Sequence, residues 1–178
     1  SDYIKKRLIE IEKKFAKNKS QSQSVFKIKD LLSKKEIKSL ENNYILQSDL
    51  IIDENLYLAE NKNLIVQPGV KIFFDKDVSI FSEGSIFFNG TKTQPITIYS
   101  NKNIGSLILS GNDFRLSNVI LKNLSYPKDK DKILYAGINI INSNVEIKDT
   151  EIVLSNSEDA INIISSNSNI TNLIVKNI

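Results

Sequence analysis

A motif that returns three times constrains this chain more than any other feature. Leu116-x-Asn118-x-x-Leu121 recurs as Ile147-x-Asp149-x-x-Ile152 and again as Ile170-x-Asn172-x-x-Val175. The last two copies are 23 residues apart and the first two are 31 apart. The polar stretch Ser125-Tyr126-Pro127-Lys128-Asp129-Lys130-Asp131-Lys132 supplies the excess of eight, as a loop leaving one corner of a repeating coil would. Neighbouring positions keep the same spacing: Leu107 aligns with Ile138 and Ile161, and Leu109 with Ile140 and Ile163.

Upstream, from about Tyr44 to Tyr99, apolar residues alternate with polar ones in pairs: Leu50/Ile52, Leu56/Leu58 and Leu64/Val66. Twenty-two residues later the pattern returns as Ile72/Phe74, Val78/Ile80 and Ile86/Phe88. Asp53 then aligns with Asp75, and Asn55 with Asp77. After an extension containing Thr93, Gln94 and Pro95, Ile96/Ile98 fall where Val70/Ile72 stood. A period of two makes strands, and three short strands per two dozen residues make one coil of a β-solenoid. Stacked strands lie about 4.8 Å apart, so each inward side chain meets its equivalent one coil away. Asn118, Asp149 and Asn172 suit a corner, where Asn and Asp tolerate left-handed backbone. Arg115 should meet Glu146 on an outward position. The expected fold class is mainly β, a right-handed parallel β-helix over residues 44–178.

Residues 1–43 read differently. Ile4, Leu8, Ile11 and Phe15 share one stripe of a helix over 3–16, with Asp2 as its N-cap and Asn18 near its end. Ser20-Gln21-Ser22-Gln23-Ser24 reads as a linker, and the capping box Ser33-Lys34-Lys35-Glu36 opens an expected second helix over 34–40. These helices are expected to form an N-terminal α-helical cap on the first coil. Residues 1–40 hold twelve Lys/Arg against five Asp/Glu, while the rest of the chain is acidic by four. The lysines flank apolar positions without interleaved aromatics, so a solvated helix face is expected rather than a nucleic-acid arm.

The chain has no cysteine and no histidine, which excludes disulfides, thiolate metal sites and histidine-dependent chemistry. No apolar run is long enough to span a bilayer. Asp53, Asp75 and Asp77 are expected near one corner, where carboxylates could hold calcium but more ordinarily form solvated turns. Glu158-Asp159 stands before Ala160-Ile161-Asn162-Ile163, with no second carboxyl assignable opposite, as a glycosidase needs. Ile51, Phe73 and Tyr99 form an outward apolar column, and Ile65 and Phe87 a second; the first is expected to lie under the N-terminal helices. No catalytic, cofactor-binding or metal-ligating residue is assigned.

The run Leu64-Ile65-Val66-Gln67-Pro68-Gly69-Val70-Lys71-Ile72, followed by Gly84-Ser85-Ile86, Gly90-Thr91 and Gln94-Pro95-Ile96-Thr97-Ile98, resembles bacterial right-handed parallel β-helix domains of the pectate-lyase-like superfold. A looser similarity is to β-helix segments associated with spore-coat H-type kinase proteins, without a kinase signature. The superfold resemblance implies carbohydrate-related roles, and in its enzymes stacked carboxylates with a basic residue. The expected function is therefore a non-catalytic structural or carbohydrate-facing domain of a larger bacterial surface or secreted protein. The alternatives are a polysaccharide lyase, hydrolase or epimerase with active coils partly elsewhere, and a self-assembling scaffold. Expected partners are a polysaccharide and, through coil ends or the outer apolar stripe, another copy of the chain. The expected location is extracytoplasmic or at the cell surface, with the cytoplasm as the alternative. Ile178 falls in the middle of a coil and no Met is present, so further coils are expected beyond it.

Overall fold

The computed structural model describes residues 25–27, 37–127, 134–153 and 157–176. The alternating segments become short strands that wind into a parallel β-solenoid of about five turns with three faces. The first face stacks β3 (Asn43–Leu46), β6 (Asn63–Val66), β9 (Ser85–Asn89), β12 (Asp113–Ser117) and the first half of β15 (Asn144–Val153). The second stacks β4 (Leu50–Ile52), β7 (Lys71–Phe74), β10 (Ile96–Ser100), β13 (Val119–Lys122) and the second half of β15. The third stacks β5 (Asn55–Leu58), β8 (Ser79–Ser82), β11 (Ser106–Ser110), β14 (Ala136–Ile141) and β16 (Asp159–Ile164). β17 (Asn167–Lys176) lies along β15 on both of the faces that β15 spans.

Inward residues form the expected columns. On the first face Leu46, Val66, Phe88, Leu116, Ile147 and Ile170 stack in register, and on the second Leu50, Ile72, Ile98, Leu121, Ile152 and Val175. Leu107/Ile138/Ile161 and Leu109/Ile140/Ile163 stack on the third. Each fully buried aliphatic contributes roughly 1.5–3 kcal/mol of transfer free energy. The first column climbs by 20, 22, 28, 31 and 23 residues per coil, so strands stay fixed while the corners absorb length. Asn118, Asp149 and Asn172 turn one such corner with φ near +50°. There the Asn172 amide donates to Asp149 Oδ1 at 2.7 Å.

Two sequence expectations are corrected. Ile37–Leu40, expected as the end of a helix over 34–40, is strand β2, antiparallel to β3 with Ile37 opposite Leu46. The open edge of β3 offers a ladder of unpaired backbone groups, and satisfying it outweighs a local capping box. The third-face alignment also moves by two residues: Leu56 stacks on Ile80 and Leu58 on Ser82, so Asn55 lies beside Ser79 rather than Asp77. No helix occurs among the described residues. The expected helix over 3–16, the linker 20–24, the capping box 33–36 and Ile178 lie outside them, as do residues 128–132 of the polar loop. Before β2, β1 (Val25–Lys27) adds a strand beside β5, pairing Val25 with Asn55.

Leu134, which precedes β14, lies on the outside of the third face. Leu134 packs there with Ile108 and Ile141, flanked by Phe81 and Ile164, as a second small apolar cluster. On the same outer face the Tyr57 hydroxyl donates to Glu83. Burial first, and then the Glu83 carboxylate, hold the Tyr57 phenol above its ordinary range.

Candidate functional site

Outward positions on the first face form two columns two residues apart. One runs Asn43, Asn63, Ser85, Asp113, Asn144, Asn167, and the other Ile45, Ile65, Phe87, Arg115, Glu146, Asn169. The polar column is wired along the stack. Asn63 donates to Asn43 Oδ1 at 2.8 Å, Asn144 to Asp113 Oδ1 at 3.0 Å, and Asn167 to Asn144 Oδ1 at 3.4 Å. The Asp113 amide donates to Ser85 Oγ at 3.3 Å. In the second column Arg115 Nε bonds Glu146 Oε2 at 2.7 Å, and the guanidinium carbon sits 5.6 Å from the Phe87 ring centre.

Where these columns reach β12, β15 and β17 they line an open groove of about 450 Å³. Its floor and rim include Phe87, Asp113, Arg115, Asn144, Glu146 and Asn169. The ion pair is about half exposed on each side, so solvent screening limits its worth to roughly 0.2–1 kcal/mol. Its greater effect is positional, since it holds a guanidinium and a carboxylate in fixed places over an aromatic ring. Carboxamides on adjacent strands present donors and acceptors at the stacking repeat. The arrangement offers hydrogen bonds in both directions, an aromatic surface and both signs of charge within one open groove.

The Arg115–Glu146 contact and the Ile65/Phe87 column stand where the sequence places them. The polar column was not legible, because Asn, Asp and Ser each read as turn formers when taken singly. The signal that finds it is the core column itself: Asn43, Asn63, Ser85, Asp113, Asn144 and Asn167 all stand three residues before a member of it.

The other candidates assemble less. Asp53 and Asp75 are exposed at the corner after the second face, and Asp77 Oδ1 accepts the Gly105 amide at 3.4 Å. Among the described residues no group of three acidic side chains is placed to hold a metal ion. Glu158 and Asp159 are exposed at the start of β16, where the Asp159 amide bonds Tyr135 O at 3.2 Å. Ile51, Phe73 and Tyr99 do stack outward on the second face, with Ile51 65 % exposed and the two rings 5.1 Å apart. A smaller hollow of about 240 Å³ lies at the corner formed by Thr91, Lys92, Asn118, Asp149 and Asn172.

Fold and groove together define a parallel β-solenoid that carries a polar and aromatic groove on one outer face. No family model, curated protein or solved structure matches the chain.

Proposed function

We propose that this chain is a non-catalytic, carbohydrate-facing module on a right-handed parallel β-helix, working outside the cytoplasm. The observation that carries the reading is the first-face groove, where Phe87, the Arg115–Glu146 pair and the Asn144/Asn167 amides meet. Sugar rings present an apolar face to an aromatic ring and hydroxyls that both donate and accept, which matches this mixture. An open groove that follows the stack suits a chain of sugars better than a small enclosed ligand. Right-handedness is supported by the steric rule that parallel strands in one sheet are joined by right-handed crossovers in about 98 % of cases.

Glycan-array binding by the 178-residue chain tests the reading. Phe87→Ala and Asn144→Ala are each expected to weaken binding about tenfold, roughly the loss of one stacking or hydrogen-bonding contact. Both side chains lie outside the core, so circular dichroism should be unchanged. Binding that survives both substitutions would remove the groove from the reading. Turnover of uronic-acid polymers would replace it with the lyase, hydrolase or epimerase alternative.

The reading also includes a helical cap formed by residues 3–16 over the Ile51/Phe73/Tyr99 stripe. Val25 pairs with Asn55, so the chain enters the described fold one corner away from Ile51. Residues 1–20 hold seven Lys/Arg against three Asp/Glu, and Asp53, Glu54, Asp75 and Asp77 are exposed beside the stripe. A double-mutant cycle between Phe15→Ala and Phe73→Ala, followed by urea unfolding, should give a coupling of about 0.5–1.5 kcal/mol. Simple additivity would sink the cap.

A further inference from the structure

We propose that Asp113 makes the first-face groove select sugar chains carrying free amino groups, an assignment that rests on the carbohydrate reading of that groove. Three ionisable side chains line it: Asp113, Arg115 and Glu146. Glu146 takes the Arg115 Nε–H at 2.7 Å, so the cation is matched inside the groove. Asp113 has no such match, because among the described residues no Lys or Arg pairs with it. Two carboxylates against one guanidinium leave the groove with an excess of negative charge.

The amide ladder ends on the same residue. Asn167 donates to Asn144 Oδ1, and Asn144 donates to Asp113 Oδ1 at 3.0 Å. An ionised carboxylate only accepts, at roughly four lone-pair positions, so Asp113 keeps acceptor capacity that a ligand can use. The adjoining corner adds to the sign. The Asn112 amide donates to the backbone carbonyls of Glu83 at 2.7 Å and Glu60 at 3.2 Å, which brings two more acidic residues to the Asp113 end of the groove. The lysines of this face lie elsewhere. Lys62 reaches back to Asn42 Oδ1 in the first coil, and Lys148 stands beyond the Arg115/Glu146 column, on the side away from Asp113.

Phe87 fixes where a sugar ring would lie. It pairs with Arg115 on the next strand, so Asp113, two residues before Arg115 and on the same outer face, is its diagonal neighbour. A ring laid on Phe87 has its substituents within reach of that carboxylate. An ammonium there gains a charge-assisted hydrogen bond, a neutral acetamide gains less, and a uronate carboxylate meets a like charge.

Calorimetric titration of the 178-residue chain with glucosamine, N-acetylglucosamine and galacturonate oligomers of equal length tests the assignment. The glucosamine oligomer should bind about fivefold more tightly than the N-acetyl form, the upper end for a solvent-exposed pair, and the galacturonate oligomer most weakly. Asp113→Asn should bring the first ratio to about one. Asp53→Asn makes the same charge change at an exposed corner outside the groove and should preserve the ratio. Equal binding of the amine and acetyl forms, tightest binding of the galacturonate form, or a preference that survives Asp113→Asn overturns the assignment. If the amine preference is missing while the N-acetyl form still binds and Phe87→Ala weakens it, the carbohydrate reading stands and only the role of Asp113 falls. If none of the three oligomers binds, both fall.

Discussion

Phe88→Ala is expected to lower unfolding stability by about 3–5 kcal/mol, the range for emptying an aromatic site in a core that cannot collapse around it. Phe88 is fully buried on β9, between Val66 and Leu116 in the first-face column. Its ring also meets Phe114 edge to face, with centres 6.0 Å apart, a contact that adds to the area buried. Relaxation is limited because backbone hydrogen bonds fix the distance between coils above and below. A solenoid has no remote contacts to compensate, since each coil touches only its neighbours. Urea unfolding followed by circular dichroism measures the effect. Lys148→Ala, on an exposed outward position of β15, should stay within about 0.5 kcal/mol. Equal costs for the two would mean that the column does not hold the coils together.

The same columns explain what could be read in advance. Leu116, Ile147 and Ile170 were legible because a stacked side chain turns a spatial contact into a fixed sequence spacing. The two-residue error at Leu56 has an equally physical origin. Two residues separate β4 from β5, but four separate β7 from β8, so the third face steps by 24 where 22 was expected. A slip of one would have turned every side chain to the wrong face, whereas a slip of two keeps the alternation intact and leaves no trace in the pattern. Ile37 and Leu40 misled for another reason. Their spacing and the capping box are local signals, while the pairing with β3 that decides their structure is made across a turn. The groove was hidden because its polar residues earn their position only through register, and turn chemistry accounts for each of them separately.

Register also decides the second large effect. Gly90→Ala is expected to cost about 3–5 kcal/mol, although glycine here does not occupy a left-handed conformation. Gly90 follows β9 at the corner position just below Asn118 of the next coil, and the Asn118 side-chain amide reaches its carbonyl at 3.4 Å. A β-carbon on Gly90 would fall 2.2 Å from Asn118 O, 2.8 Å from Ser117 O and 3.0 Å from Ile96 N. All three are backbone atoms, and Asn118 O already accepts the Ile96 amide at 3.1 Å, the bond that starts β10. The methyl group therefore either breaks that bond or lifts one coil from the next, and no rotamer change avoids the choice. Gly69 supplies the comparison. Its φ is +81°, but an added β-carbon would meet only Gln94 Cβ, at 3.7 Å. Gly69→Ala should then cost only the left-handed backbone penalty of about 1–2 kcal/mol. Urea midpoints for the two variants separate steric exclusion from conformational strain, and a Gly90→Ala chain as stable as Gly69→Ala would show that the coils are not stacked this tightly at the Asn118 corner.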